Sequence, residues 1–211
     1  MKSKTNRPNF IIGFYNHANA VTVLGLIFAL AACVCAAYHA KLAIIMTLFI
    51  CSGLCDLFDG VIARKIKRTE TQKAFGIQLD SLCDLASFGI APCVISMCCL
   101  KPDGFRVDII CYFYYILCSV VRLAYFNAVT ADKENHFTGV PITYCALFYS
   151  LLVYILSWCP LSIGEVLIPA FFAVLGTLYV LRLKIPKPGG VWYIIFPLFA
   201  ILLTAAFWFG R

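Results

Sequence analysis

The chain has 211 residues, of which 63% are hydrophobic and only 13% are charged, and its formal net charge is +7. Its mean hydropathy is +0.91, a composition that soluble domains of this length do not have. The sequence therefore predicts an all-α fold, a polytopic membrane helix bundle with no separate soluble domain. We expect a single domain over residues 1–211, with its motif-bearing core at residues 50–141.

In chain order, the sequence consists of apolar runs separated by short polar stretches or by turns that contain proline and glycine. Residues 9–19 mix aromatic and polar side chains and are a candidate for a short interfacial helix. The apolar runs predict about seven spans (roughly six to eight), because each is long enough to cross a bilayer as a helix. The predicted spans are residues 20–38, 42–67, 75–100, 107–129, 140–158, 165–183 and 191–209.

Two pairs of aspartates lie within or against the second and third apolar runs. Asp56 and Asp59 are three residues apart, and Asp80 and Asp84 are four apart, so on helices each pair shares one face. Carboxylates at membrane depth are costly and are seldom present without a function. The two pairs, joined by a short basic loop, predict one polar site assembled from two helices.

Basic residues are divided unequally between the two sides of the predicted bundle. The side of the N-terminus receives Lys2, Lys4, Arg7, Arg64, Lys65, Lys67, Arg68, Lys73, Lys133, Arg182, Lys184 and Lys187. The opposite side receives Lys41, Lys101, Arg106 and Arg211. Because basic loops stay in the cytoplasm, we expect an integral membrane protein whose acidic site faces the cytoplasm, in the cell membrane if the organism is a prokaryote. This placement explains the positive charge by orientation and argues against nucleic acid as a partner.

The four carboxylates would converge in a medium of low dielectric constant, where they cannot all stay ionised unaided. Either some are protonated, as in a proton relay, or divalent cations neutralise them. Ligands that are all oxygen suit magnesium, manganese or calcium. Gly60 and Ala63 lie on the face of Asp56 and leave a hollow beside it, and Gly76 is expected to do the same one turn before Asp80. Arg64, next to this hollow, could pair with a phosphate or with an aspartate.

These residues form the string Asp56-x-x-Asp59-Gly60-x-x-Ala63-Arg64, followed by Gly76-x-x-x-Asp80-x-x-x-Asp84. The string resembles the signature of the CDP-alcohol phosphotransferases, which transfer a phosphatidyl-type group from a CDP-linked lipid to an alcohol and release CMP. The resemblance implies two divalent cations, magnesium or manganese, held by the four aspartates, and Asp84 as the base for the attacking hydroxyl. It also implies binding of the CDP group by Asp56, Gly60, Ala63, Arg64 and Gly76. Homodimers are common in that family, so we expect a homodimer.

Further strings resemble the serine-using branch of that family, the phosphatidylserine synthases. They are residues 85–92 (LASFGIAP), residues 122–127 (RLAYFN) and residues 137–141 (FTGVP). This branch implies CDP-diacylglycerol and L-serine as substrates, with membrane lipid around the protein. Inositol, inositol phosphate, glycerol phosphate and choline remain alternative acceptors.

Arg122 lies in an otherwise apolar predicted span. An arginine fork binds carboxylates and phosphates through two parallel hydrogen bonds. Our hypothesis is that Arg122, with Asn127 and Ser87, binds the serine carboxylate or the lipid phosphate. The alternative for Arg122 is a structural ion pair with one of the aspartates.

A different class of protein, a cation-coupled membrane transporter, would also carry carboxylates in its spans. Transporters usually hold them near the bilayer midplane, on broken helices that belong to internal repeats. Here the aspartates lie towards one surface, and the sequence has no evident internal repeat. The sequence therefore favours the enzyme over the transporter.

Overall fold

A computed structural model describes residues 13–14, 16–100, 108–129, 137–138, 140–182, 184–185 and 192–210. Within these ranges nearly the whole chain is helical. The helices are α1 (His17–Ala37), α2 (Leu42–Lys65), α3 (Glu70–Asp84), a π-helical turn (Leu85–Ile90), α4 (Ala91–Leu100), α5 (Asp108–Val129), α6 (Tyr144–Leu156), α7 (Leu161–Val180) and α8 (Trp192–Phe209). Two short strands, β1 (Phe137–Thr138) and β2 (Lys184–Ile185), form an antiparallel pair.

Five helical segments are long and apolar enough to cross a membrane: α1, α2, the continuous segment of α3, the π-helical turn and α4, then α5 and α7. Helices α6 and α8 are apolar but shorter in their described parts. The predicted all-α membrane bundle is therefore confirmed.

The first two helices form a tight hairpin, in agreement with the three residues that separate their predicted spans. Helix α1 begins at His17, capped by the side chain of Asn16, which accepts a hydrogen bond from the backbone N–H of Asn19 at 2.9 Å. It ends at Ala37, and two residues later His39, with a positive φ of 55°, reverses the chain direction. Residues 9–12 and 15 of the expected interfacial helix lie outside the described residues, and residues 17–19 belong to α1.

Helix α3 begins five residues before the predicted start of the third span. Thr69 caps it, because its hydroxyl accepts from the Gln72 N–H at 3.3 Å while the Gln72 side chain accepts from the Thr69 N–H at 3.1 Å. This reciprocal capping box stabilises a helix start within the loop that the sequence predicts between the second and third spans. Helix α7 likewise begins at Leu161, directly after Pro160, and not at residue 165.

The π-helical turn directly after Asp84 was not predicted. It is held by α5, because the Tyr115 hydroxyl donates a 2.7 Å hydrogen bond to the Phe88 carbonyl oxygen. Gly89 allows the turn to approach α5 closely, since a Cβ atom there would lie 3.4 Å from the Ser119 Cβ. Such turns shift the helix register and are frequent at functional sites.

An aromatic core fills the centre of the bundle. The Tyr115 and Phe172 ring centroids are 4.9 Å apart, and those of Tyr149 and Phe172 are 5.5 Å apart. A second, smaller apolar cluster joins Ile50 of α2 to Ala200 and Leu203 of α8. This second cluster fixes α8 against α2, beside the helix segment that carries the first aspartate pair.

Candidate functional site

Three of the four aspartates meet between α2 and α3. One carboxylate oxygen from each of Asp56, Asp80 and Asp84 lies within 4.8 Å of the others. All three residues are half-buried. The helical spacing predicted this convergence, because the paired residues project from one face of each helix.

Asp59 is the most buried of the four, at 5% exposure. It is not part of the three-carboxylate cluster, and its Oδ2 instead accepts a 2.5 Å hydrogen bond from the Thr22 hydroxyl on α1. Helix α1 therefore supplies a side chain to the site, which the signature string does not contain.

A small cavity of about 10 Å³ connects these groups and is lined by Asp56, Asp59 and Asp84 together with Ser52 and Ser87. Ser52 is 1% exposed, and its hydroxyl has no hydrogen-bond partner among the described residues. A buried hydroxyl without a partner is costly unless a water or an ion satisfies it. Oxygen ligands around a space of this size fit a hard divalent cation such as magnesium or manganese.

A larger groove of about 240 Å³ is also lined by Asp56. Its walls are α2, the start of α6 and α8, with mostly apolar lining side chains such as Leu54, Leu147 and Phe196. Asp56 lines both the groove and the small cavity. Among the residues that the structure describes, Asp56 is therefore the one that joins the apolar groove to the carboxylate cluster.

Gly60 and Arg64 lie at the polar part of this groove. Apart from its chain neighbours and its own helix backbone, a Cβ atom at Gly60 would meet only the Arg64 guanidinium among the described residues, at 4.0 Å, so the predicted hollow is present there. Arg64 donates from Nε to the Gly60 carbonyl oxygen at 3.0 Å and from Nη2 to the Tyr193 hydroxyl at 2.7 Å. The guanidinium is thereby fixed beside the hollow.

Ala63 and Gly76 have different surroundings. The Ala63 carbonyl oxygen accepts a 3.0 Å hydrogen bond from Arg68 Nη2. A Cβ atom at Gly76 would lie 3.0 Å from Arg68 Nη1 and 3.4 Å from Asn19 Oδ1. Gly76 thus permits a close approach of polar side chains, and the open hollow that we expected beside it is not there.

Ser87, Asn127 and Arg122 are not gathered around one point by the contacts that the structure describes. Ser87 is buried in the small cavity with Asp84. The Asn127 amide donates to the Ser81 hydroxyl on α3 at 2.9 Å. Arg122 is 5% exposed, donates from Nε to the Val140 carbonyl oxygen at 3.2 Å and lies 5.2 Å from the Phe126 ring centroid.

Sequence reasoning missed three residues of the site: Thr22, Ser52 and Tyr193. Thr22 and Ser52 are hydroxyls inside apolar runs, a weak signal that many packed residues share. Tyr193 contacts Arg64 across 129 positions of sequence, so no local pattern could relate the two.

The bundle and its site define an integral membrane protein with a carboxylate cluster beside an apolar groove. The chain belongs to the CDP-alcohol phosphatidyltransferase family, whose sequence profile matches residues 15–182. The matched region contains the whole acidic cluster and ends before α8.

The chain is similar to proteins named CDP-diacylglycerol--serine O-phosphatidyltransferase. It is 31% identical to that of Helicobacter pylori over 134 residues, which are 62% of this chain and 56% of the relative. It is 36% identical to that of Methanocaldococcus jannaschii over 145 residues, 67% of this chain and 63% of the relative. It is also 36% identical to the archaetidylserine synthase of Methanothermobacter thermautotrophicus over 103 residues, 49% of this chain and 43% of the relative. The chain thus spans about two fifths to just under two thirds of the length of these relatives.

Proposed function

We propose that this protein transfers a phosphatidyl group from CDP-diacylglycerol to the hydroxyl of L-serine, producing phosphatidylserine and CMP. The observation that carries the proposal is the position of Asp56, which lines both the apolar groove and the carboxylate cavity. A CDP-lipid has a charged diphosphate next to an apolar glycerolipid, and this site offers a matching polar and apolar half side by side.

The groove supports binding of the CDP-lipid. Its apolar walls suit lipid, while the Arg64 guanidinium at its polar part suits a phosphate oxygen. Gly60 leaves space beside that guanidinium for the nucleotide. Asp56, Ala63 and Gly76 complete the proposed CDP-binding set, Ala63 through its carbonyl contact with Arg68 and Gly76 by leaving room for the Arg68 guanidinium.

The acidic cluster is proposed to hold two divalent cations, magnesium or manganese. Asp56, Asp80 and Asp84 offer carboxylate oxygens at one point, and Asp59 lines the adjoining cavity. Bound cations would neutralise the diphosphate charge and stabilise the attacking and leaving oxygens. Thr22 holds the Asp59 carboxylate in a fixed orientation from outside the ligand set.

Asp84 is the proposed base. It accepts the proton of the serine hydroxyl, and the serine oxygen forms a bond to the phosphorus of the phosphatidyl group. The bond from that phosphorus to the bridging oxygen breaks, and CMP leaves with the electron pair. Transfers of this kind depend on positioning and charge neutralisation more than on covalent help from the protein.

Serine as the acceptor is supported by the names of the relatives. The H. pylori and M. jannaschii relatives are named for serine and a diacyl lipid, and the archaetidylserine synthase is named for serine with another lipid. The buried Arg122 is the proposed ligand of the serine carboxylate or the lipid phosphate. Ser87 and Asn127 are proposed to contribute from the walls of the site.

We further propose that α6 and α8 also cross the membrane, which gives seven spans. The N-terminus and the carboxylate cluster would then face the cytoplasm, where serine is dissolved. Because α8 packs against α2 and α6, residues 1–211 are proposed to form one domain. A homodimer is the proposed assembly.

The test is CMP release by purified protein supplied with CDP-diacylglycerol, magnesium or manganese, and one candidate alcohol at a time. CMP release that requires serine is the expected result. Release with inositol or glycerol phosphate in place of serine would reject the acceptor alone. If no alcohol gave CMP, while vesicles containing the protein moved a divalent cation, the transporter would replace the enzyme.

A further inference from the structure

We propose that Tyr193 of α8 is a positioning residue for the CDP-linked substrate and that it acts by orienting Arg64. The inference rests on the proposed function, because it assumes that the groove beside Asp56 receives that substrate. Residue 193 lies beyond the part of the chain that the family profile matches, residues 15–182. This role is therefore one that the family signature does not assign.

The contact between the two side chains combines a hydrogen bond with a ring contact. The Tyr193 hydroxyl accepts from Arg64 Nη2 at 2.7 Å, and the guanidinium carbon lies 5.7 Å from the Tyr193 ring centroid. On its other side, Arg64 Nε donates to the Gly60 carbonyl oxygen at 3.0 Å. The guanidinium is thus held at two points, one on its own helix and one on α8.

Two points of attachment matter because the Arg64 side chain is otherwise exposed. A free arginine side chain loses about 2 kcal/mol of rotamer entropy when a ligand fixes it. Tyr193 removes part of that loss before the ligand arrives, since the guanidinium already lies at the polar part of the groove. The two bonds use two of the five N–H donors, which leaves three for phosphate oxygens.

Helix α8 is a suitable support for this contact. Phe196 and Ala200, one and two turns after Tyr193, line the same groove as Arg64. Ala200 is 1% exposed and packs in the apolar cluster with Ile50 of α2. Tyr193 is therefore attached to a helix that is itself fixed against α2, so its hydroxyl has a defined position relative to Arg64.

The experiment is Tyr193→Phe, which keeps the ring and removes the hydroxyl oxygen that accepts from Arg64 Nη2. We expect the Kd and the KM for CDP-diacylglycerol in detergent micelles to rise about three- to tenfold, the effect of one charge-assisted hydrogen bond at an exposed site. The KM for serine and the kcat at saturating CDP-diacylglycerol should change less than about twofold. A purely structural defect would also change the KM for serine and the kcat, and not only the constants for CDP-diacylglycerol.

A double-mutant cycle tests whether the effect passes through Arg64. In an Arg64→Gln background, Tyr193→Phe should have no further effect on CDP-diacylglycerol binding. The matched control is Tyr114→Phe, which removes a tyrosine hydroxyl that lies 3.0 Å from Thr177 Oγ1 on an exposed face away from the groove. The control should bind CDP-diacylglycerol as the unaltered protein does.

An unchanged Kd for CDP-diacylglycerol in Tyr193→Phe would overturn the inference. An equal loss of CDP-diacylglycerol affinity on Tyr193→Phe in the unaltered protein and in the Arg64→Gln background would also overturn it. If Tyr193→Phe is poorly folded, Tyr193→Trp provides the same test, because an indole also has no acceptor for Nη2. Binding is measured without an alcohol, so it is separate from the proposed reaction. A protein that binds CDP-diacylglycerol through Tyr193 and Arg64 but releases no CMP would reject the reaction and leave this inference in place.

Discussion

The Thr22 hydroxyl on α1 donates to the Asp59 carboxylate on α2, and both side chains are at least nine-tenths buried. A hydroxyl that fixes a ligand carboxylate raises the affinity of a metal site. We expect Thr22→Val to raise the magnesium or manganese concentration needed for half-maximal CMP release about tenfold. The measurement is a metal titration at saturating CDP-diacylglycerol and serine.

Thr22→Ser is the matched control for this experiment, because serine keeps the hydroxyl and loses one methyl group. It should require nearly the same metal concentration as the unaltered protein. Identical metal titrations for Thr22→Val and Thr22→Ser would show that the hydroxyl does not support a metal site.

The π-helical turn after Asp84 leads to a prediction about stability. Tyr115→Phe leaves the Phe88 carbonyl oxygen without the buried donor that it now has at 2.7 Å. Loss of one partner of a buried hydrogen bond costs about 1–3 kcal/mol. For a chain of this length, we expect thermal unfolding in detergent at a temperature on the order of 5 °C lower. Tyr114→Phe, whose hydroxyl is exposed, should cause a smaller decrease, and equal decreases would contradict the anchoring role of Tyr115.

The acidic cluster is the part of the site that the sequence predicts best. Spacings of three and four residues place carboxylates on one helix face whatever the rest of the fold is, which is why Asp56, Asp80 and Asp84 meet as expected. The separate environment of Asp59 could not be predicted in the same way. It depends on Thr22, and which residue of α1 faces α2 is decided by packing between the two helices.

The helices themselves follow from the apolar runs, but their ends and irregularities do not. Hydropathy marks the region that lies in lipid, whereas capping by Thr69 extends α3 beyond it. The π-helical turn depends on Tyr115, a residue 27 positions away from the carbonyl that it binds. Tertiary contacts of this kind leave no periodic signal in the sequence.

Removal of divalent cations tests the proposed metal dependence. With an excess of EDTA, CMP release should fall to the background rate. The carboxylates and the diphosphate are both negatively charged, so cations are needed to neutralise them. Magnesium or manganese added beyond the chelator should restore the rate, since these ions prefer oxygen ligands. CMP release that continued at the full rate in EDTA would reject the two-cation proposal.

Arg122→Lys tests the proposed acceptor site. Lysine keeps the positive charge but cannot reproduce the planar fork or the stacking on Phe126. We expect the KM for serine to rise about tenfold, the effect of losing one of two parallel hydrogen bonds to a carboxylate. The control is Arg182→Lys, an exposed arginine just after α7, which should leave the KM for serine unchanged. If Arg122→Lys raised only the KM for CDP-diacylglycerol, Arg122 would be assigned to the lipid phosphate.

Asp84→Asn tests the proposed base. Asparagine is nearly the same size and keeps one oxygen ligand, but it cannot accept the proton of the serine hydroxyl. We expect kcat to fall by about a factor of 10³ or more, and excess magnesium should not restore it, since the missing function is proton transfer. Glu70→Gln is the matched acidic control, because Glu70 is 88% exposed and its ion pair among the described residues is with Lys73, at 2.7 Å. Exposed ion pairs contribute little, so Glu70→Gln should keep the full rate. If excess magnesium restored the activity of Asp84→Asn, Asp84 would be a metal ligand alone. The base would then be another residue of the cluster.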